Sequence, residues 1–370
     1  MKILHLNTSM QCGGAERLIE TLAVLMNNKG HEVEVMIGTD YNNIFVSQLH
    51  KNKIPVKAFY NKPKSYYNPF IIFKLIKYFK KFDIIHAHLY PLQLWIIVAS
   101  VLSFKKTVLI TTEHNTENGR RGKFLFKLLD KWMYKKFHKI ISISKQTQEN
   151  LINWTDSEKD AKHIIINNGI DVDFFKNATA VNRNELGAGN LDGKTLVLMS
   201  ARFVEQKDHE TVLKAIAELG ENVCLLLAGD GPLKDKYVKM SIDLGISKRV
   251  HFLGLRTDIE RIVKTSDICV LSSHWEGFGL AALEYMAAGK ATIVSDVGGL
   301  KQTVGDGALT FTPSNHKDLA EKISLLMNNE RKVIDLQRAA QLHSGKFSIE
   351  HMATSYINLY NSELASQKFK

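Results

Sequence analysis

The sequence predicts an α/β protein built from two doubly wound domains, and three observations carry that prediction. Short, β-branched apolar runs alternate with helical patterns along nearly the whole chain, the rhythm of parallel sheets covered by helices on both faces. Glycines gather where such a run hands over to a helix, at Gly13 and Gly14 and again at Gly277 and Gly279. At 370 residues the chain suits about two domains, each large enough for its own core.

Taken in order, a first strand at residues 3–7 leads through the glycine pair into a helix ending near residue 28. Strands at 32–37, 56–59, 84–86 and 107–111 alternate with helices near 43–51, 68–81 and 91–102. A helix over 120–139, a strand at 140–144 and a helix near 146–154 follow. Asn167-Asn168-Gly169 is a turn, and the polar, aperiodic run to Gly193 reads as a linker, so domains are expected at 1–175 and 190–346. Asp171 and Asp173 imitate a metal-binding Asp-x-Asp, but they sit in this linker and not at the end of a core strand, and they read as capping residues. The second domain starts afresh with strands at 195–199, 224–228, 250–253, 267–271, 291–295 and 308–311. The tail is helical over 315–343 and 349–360.

The net charge of +11 is lopsided: residues 1–175 carry 25 Lys and Arg against 15 Asp and Glu, the remainder 24 against 23. A basic half faces something acidic, and nucleic acid, anionic lipid and a phosphate-bearing acceptor all qualify. Residues 71–82 mix Lys74, Lys77, Lys80 and Lys81 with aromatic and aliphatic side chains. Lys123, Lys127, Lys131, Lys135 and Lys139 recur at every fourth position among Phe124, Leu125, Leu128 and Trp132. Such helices either keep a solvated lysine side and pack the rest on a sheet, or lie on an anionic bilayer. Two of them in one domain favour a membrane surface. The apolar stretch 92–102 is shorter than the roughly 20 residues of a spanning helix, and the N-terminus turns polar too soon for a signal peptide. Cys12, Cys224 and Cys269 lie far apart, which points to thiols of a reducing compartment and not to a disulfide framework or metal site.

The chemistry concentrates in residues 272–290. An apolar run over 267–271 reads as a buried strand, a loop carries Glu276, and from Gly279 onward helix formers lead to Gly289, a natural helix stop. Free N–H groups of that helix's first turn, opened by glycines, make a seat for an anion such as a diphosphate. Glu276 and Glu284, eight positions apart, can grip separate hydroxyls of one ligand. Upstream, Arg202 and Lys207 bracket a tight strand-to-helix loop, and two fixed cations can neutralise a departing nucleoside diphosphate without a metal ion. Gly229-Asp230-Gly231 lacks the third glycine of a dinucleotide fingerprint. His86 and His88 end one strand and His114 follows another; no third histidine or carboxylate lies near the first pair in sequence, so a metal site is not expected there.

Glu276 and Glu284 with seven residues between them, and Gly277-Phe278-Gly279 directly after the first, resemble the hallmark of the retaining glycosyltransferases of family 4, which have the GT-B fold. The resemblance runs in family order through Gly13-Gly14-Ala15-Glu16-Arg17, the His114 loop and the Arg202–Lys207 loop. It implies two Rossmann-like domains facing across a cleft, the first binding acceptor and the second nucleotide-sugar, with a final helix (347–370) crossing back to the first. It also implies roles. Glu284 holds the ribose, Glu276 and His114 contact the transferred sugar, and Gly13, Gly14, Arg202, Lys207 and the amides at Phe278, Gly279 and Leu280 approach the diphosphate. Arg256 stands where related enzymes pack the base, and His88 lines the acceptor side.

The expectation is therefore a retaining, metal-independent hexosyltransferase. Its donor is a nucleotide-diphosphate sugar of the UDP type, and its acceptor a glycan or lipid-linked molecule of envelope polysaccharide assembly. No cofactor and no nucleic acid are expected, and the place is the cytoplasm, at the inner face of the membrane. A sugar-nucleotide epimerase on the same frame and a non-catalytic binding subunit are the competing readings. A pure binding subunit has no need of a diphosphate seat.

Overall fold

Two separate parallel sheets organise the chain. The computed structural model describes residues 1–368 apart from residues 12, 42, 104–106, 115–119, 159, 188 and 190. Met1–Asn168 and Ile349–Lys370 form one unit, Gly169–Ser348 the other.

The first unit begins with β1 (Lys2–Asn7), α1 (Gly14–Asn28), β2 (Glu32–Thr39), α2 (Val46–Lys51), β3 (Val56–Tyr60), α3 (Ile71–Ile76) and β4 (Ile84–Ala87). It continues through α4 (Leu92–Leu102), β5 (Val108–Glu113), α5 (Phe124–Lys136), β6 (Lys139–Ser142), α6 (Lys145–Thr155) and β7 (His163–Ile165). The sheet order is β3-β2-β1-β4-β5-β6-β7, and the paired strands are parallel. Its central strands are buried on both faces, which is why they read as unbroken apolar runs. α1 and α2 cover one face with Leu18, Ile19, Leu22 and Leu49; α3, α4 and α5 cover the other with Leu75, Ile97 and Met133.

The long basic helix expected over 120–139 is shorter. Phe137 leaves the helix in an extended conformation, and Lys139 starts β6, where it pairs with Glu363 at 3.5 Å. The demand of Ile140 and Ile141 for the sheet overrides the four-residue lysine period. The helix expected over 68–81 is likewise α3 followed by a 3₁₀ turn, Lys77–Lys80.

The second unit holds α7 (Val172–Lys176), β8 (Thr195–Ser200), α8 (His209–Ala217), β9 (Val223–Ala228), α9 (Lys234–Asp243), β10 (Val250–Gly254) and α10 (Ile259–Thr265). It goes on through β11 (Ile268–Leu271), α11 (Leu280–Ala287), β12 (Ala291–Ser295), α12 (Gly298–Val304), β13 (Leu309–Phe311), α13 (His316–Met327) and α14 (Glu330–Ser344). The order is β10-β9-β8-β11-β12-β13, again parallel. The segment expected as a linker running to Gly193, with a domain boundary at 175, belongs to this unit from Gly169 onward. Phe175, Val181 and Leu186 are buried, α7 lies against α11, and Val181 N donates to Thr265 Oγ1 at 2.9 Å. Arg183 grips both oxygens of Asp267 at 3.2 Å. Scattered apolar residues without periodicity hid this packing. Asp171 caps α7, accepting from Phe174 N at 2.9 Å.

α15 (Ile349–Lys368) returns to the first unit and buries Met352, Tyr356 and Tyr360 beside Ile3, Ile84 and Ile110. Cys224 and Cys269 are buried and unpaired, and burial pushes the Cys269 thiol up to about 12; Cys12 lies outside the described residues. Among the described residues no helix is long and apolar enough to cross a membrane.

The Tyr360 hydroxyl meets His86 Nδ1 at 2.6 Å in the core. Tyr360→Phe leaves a buried nitrogen unpaired and should destabilise the first unit by about 1–3 kcal/mol, read as a lower urea midpoint in the transition reporting that unit.

Candidate functional site

In a doubly wound sheet the chain leaves two neighbouring strands in opposite directions, and the loops beyond their carboxyl ends part to form a crevice. That pair is β1 and β4 in the first unit, β8 and β11 in the second. Gly13, His88, Arg202, Lys207, Glu276, Phe278 and Gly279 lie on these loops, with Gly14 opening α1; His114 follows β5, Arg256 follows β10, and Glu284 lies within α11.

In the second unit the loop after β8 carries Arg202 and Lys207, and the loop after β11 carries Glu276, Gly277, Phe278 and Gly279. The two are stitched together. Gln206 Nε2 donates to the Trp275 carbonyl and His274 N to the Gln206 carbonyl, each at 2.9 Å. Buried Asp208 caps α8 through Thr211 N and accepts from Ser272 Oγ at 3.2 Å. Lys207 and Glu276 form an ion pair, both largely buried. Arg202 is exposed beside them on the same loop.

Gly279 sits at φ +87°, a backbone that side-chain-bearing residues rarely adopt, and opens α11. The N–H groups of Phe278, Gly279 and Leu280 have no acceptor among the described residues, so they remain available to an anion. Gly299 is needed for close approach: a Cβ there would stand 2.2 Å from the Glu276 carbonyl oxygen. Glu284 is buried on α11, and its neighbour Tyr285 accepts from Ser200 N at 2.6 Å through its hydroxyl, tying the helix to the end of β8. Arg256, beyond β10, lies two strands from β8 and is held by a fork of 2.8 Å bonds to Asp258, which pushes its pKa up.

In the first unit Gly13 and Gly14 stand at the start of α1. Gly13 is extended, at φ −168°, and nothing lies within 4 Å of a Cβ placed on Gly14. Neither backbone requires glycine, and the space is open at Gly14 but not at Gly13. Glu16 crowds it: its carboxylate lies where a Gly13 side chain would go, and burial pushes its pKa up. Its charge opposes an anion at this place.

His88, beyond β4, accepts or donates in two bonds: Nε2 to His5 Nδ1 at 3.0 Å and Nδ1 to His114 Nε2 at 3.2 Å. His86 stacks on His88 with centroids 4.0 Å apart, and its nitrogens bond Tyr360 and Thr112. Burial pushes His5 down to about 4 and His114 to about 3, and drives His86 and His88 well below their ordinary values. All four imidazoles are neutral.

His5 was missed in the sequence, where His86 and His88 had no visible third partner. The parallel register sets His5 beside His86. The signal was there in principle, since a doubly wound order makes strands one and four neighbours. Ring nitrogens of His5, His86 and His88 lie within 4.8 Å of one another, close enough for a metal ion. Both nitrogens of His86 are, however, occupied by hydroxyls, and His5 and His88 bond each other.

Two family profiles divide the chain: Glycosyltransferase Family 4 matches residues 12–174 and Glycosyl transferases group 1 residues 183–343. An N,N'-diacetylbacillosaminyl-diphospho-undecaprenol alpha-1,3-N-acetylgalactosaminyltransferase from Campylobacter jejuni is 31% identical over 245 residues, 65% of this chain and 64% of its own length. The matched stretch thus spans just under two thirds of that relative. The O-antigen biosynthesis glycosyltransferase WclY of Escherichia coli is 25% identical over 98% of both chains. Among solved structures, Anabaena HepE in complex with UDP-glucose aligns with a TM-score of 0.82 at 23% identity, covering 98% of this chain and all of that one. WaaG, a glycosyltransferase involved in lipopolysaccharide biosynthesis, aligns at 0.71 with 14% identity, covering 97% of this chain and 99% of that one. The fold is GT-B.

The four neutral imidazoles have a consequence for acid stability. In the unfolded chain each takes up a proton near its ordinary value of 6.5, whereas the folded chain does not until about 4 for His5 and about 3 for His114. Their contribution is therefore complete above pH 6.5 and is lost as pH falls towards those lower values. Each costs about 1.4 kcal/mol per pH unit in that window. The unfolding midpoint should fall between pH 6.5 and 4, and less steeply in His114→Gln.

Proposed function

The chain belongs to the glycosyltransferases of the GT-B fold, and we propose that it moves a hexose-type sugar, with retention of anomeric configuration, from a nucleotide-diphosphate donor of the UDP type to a lipid-linked or glycan acceptor of envelope polysaccharide assembly. The observation that carries this reading is the second unit's switch point, where Lys207, Glu276 and three unpaired amides meet. Cations and free amides gathered there would offset the charge that a leaving diphosphate develops.

In this reading the bond from the sugar's anomeric carbon to the phosphate oxygen breaks and a bond to the acceptor oxygen forms on the same face. The acceptor's proton passes to the departing phosphate. Lys207, Arg202 and the amides of Phe278, Gly279 and Leu280 offset the charge of the diphosphate. Lys207 is held by Glu276 until the diphosphate takes it, which frees Glu276 for sugar hydroxyls. Glu284 holds the ribose, Arg256 packs the base, and Gly13 and Gly14 approach the diphosphate, with open space at Gly14 and Glu16 having to move aside at Gly13. His114 contacts the sugar and His88 lines the acceptor side. No residue in the sequence is an evident nucleophile for the opposite face, which agrees with same-face attack. The cations and amides make a metal ion unnecessary. The undecaprenol-linked substrate named for the Campylobacter relative and the UDP-glucose bound to HepE support the choice of acceptor and donor.

Incubation with a panel of UDP- and GDP-sugars should show donor turnover that EDTA leaves unchanged. Lys207→Met should lower kcat/KM on the order of a hundredfold or more, and Glu284→Ala should raise the donor KM. Full activity in both variants, or loss of turnover with EDTA, overturns the assignment.

The same reading places the first unit against an anionic membrane. Phe124 is 72% exposed, Leu125 78% and Leu128 52%, and Phe70 and Phe73 of the α3 region are 65% and 66% exposed, all among lysines. An outer helix that packs its apolar side on a sheet does not leave these residues in water. Flotation with phosphatidylglycerol vesicles should carry the protein, phosphatidylcholine vesicles should not, and Phe124→Ser with Leu125→Ser should weaken binding about tenfold. Equal binding to both lipids removes the membrane role.

A further inference from the structure

His5, His88 and His114 form an unbroken chain of imidazoles, joined by nitrogen–nitrogen bonds of 3.0 and 3.2 Å. Each ring is neutral and carries one proton, so the chain holds three protons for two bridges. A bridge with two protons clashes and one with none repels, so each bridge takes one. The third proton then sits at an end, on His5 Nε2 or on His114 Nδ1. Intermediate arrangements do not exist: once His88 donates from Nδ1, His114 must keep its proton on Nδ1 and His5 must donate from its own Nδ1. The reverse choice turns all three over together.

The two ends are not equivalent. His5 is fully buried, and its Nε2 has no hydrogen-bond partner among the described residues. A proton there would be an N–H donor orphaned in the core, the costlier kind of unsatisfied group. His86, the neighbour whose ring stacks on His88, cannot relieve it, because both its nitrogens are engaged by Tyr360 and Thr112. His114 is only half-buried, at the open end of the chain.

We infer that His5 is a positioning residue which, through His88, fixes the proton of His114 on Nδ1, so that His114 meets its ligand as a neutral N–H donor and not as a base. This rests on the reading of His114 as the group that touches the transferred sugar. A donor N–H suits a sugar hydroxyl oxygen and leaves the acceptor's proton to the departing phosphate.

The test reads the tautomer itself, without substrate. In protein labelled with ¹⁵N-histidine, long-range ¹⁵N–¹H correlation distinguishes the two neutral forms, with the His114 signals identified by their loss in His114→Gln. The wild type should show a single Nδ1–H form at His114. His5→Asn, whose amide nitrogen can replace His5 Nδ1 as donor, should retain it. His5→Leu should shift His114 towards the Nε2–H form that free imidazoles prefer in water and lower kcat about tenfold, the smaller end of what an outer partner of a functional histidine contributes, with His5→Asn restoring most of it. A wild-type His114 protonated on Nε2 overturns the inference even if the transferase is active. Should His5→Leu fail to fold, the wild-type and His5→Asn spectra still decide. A wild-type Nδ1–H form in a protein that turns over no nucleotide-sugar would instead sink the functional reading and leave the proton assignment standing.

Discussion

One ion pair organises the second unit's site. Lys207 and Glu276, 69 residues apart, meet because β8 and β11 are neighbours from which the chain departs in opposite directions. Their side chains are about one-fifth and one-eighth exposed. At that depth a lone charge is costly, while a pair gains little over what its desolvation takes away. The pair is therefore weak evidence of stabilisation and better evidence of a site at rest. On the proposed function, the lysine would keep this carboxylate until a diphosphate arrives. The His274 N–Gln206 carbonyl bond, the Gln206 Nε2–Trp275 carbonyl bond and the bond from Ser272 Oγ to Asp208 tie the two loops together around the pair.

The first unit solves a different problem with the same topology. At its switch point the groups are imidazoles kept neutral by burial, each oriented by a ring or hydroxyl neighbour. Neutral hydrogen-bonding groups discriminate hydroxyls by direction without attracting bulk ions. On the proposed function, the ionic loop would face a diphosphate and the neutral imidazoles would face hydroxyl groups. Tyr356 and Tyr360 make the C-terminal helix part of this arrangement, since their hydroxyls reach Thr112 and His86 from beneath.

The element order and the second unit's site could be read in the sequence because parallel strands buried on both faces are written as continuous apolar runs, and because the glycines beside Glu276 mark a strand-to-helix turn. What escaped was whatever depends on strand adjacency or on packing without a period. His5 looked like an unremarked residue in a first strand; only the sheet order reveals its bond to His88. The stretch after Gly169 looked like a linker because its scattered apolar side chains carry no period, yet Ile170, Phe175, Val181 and Leu186 are buried. The lysine spacing suggested a helix to residue 139, and the sheet claimed the last of those lysines. The Arg256–Asp258 fork and the carboxylate of Glu16 beside Gly13 are local pairings that a motif does not encode.

The uneven charge becomes intelligible on the fold. Residues 51–139 hold 19 of the 25 basic residues of the first 175 and only 4 of the 15 acidic ones. That segment builds α3, α4 and α5, which share one face of the first sheet, while α1, α2 and α15 cover the other. A purely electrostatic surface for nucleic acid would keep its apolar groups inside. Here Phe70, Phe73, Phe124, Leu125 and Leu128 stand in solvent among the lysines, whereas Asp130, on the same helix, is buried and bonded to Trp154. The apolar and charged positions are thus reversed relative to an ordinary outer helix at several points. On the proposed membrane reading, such a surface would lower its free energy where water gives way to a medium both apolar and negatively charged. The headgroup region of an anionic bilayer is such a medium.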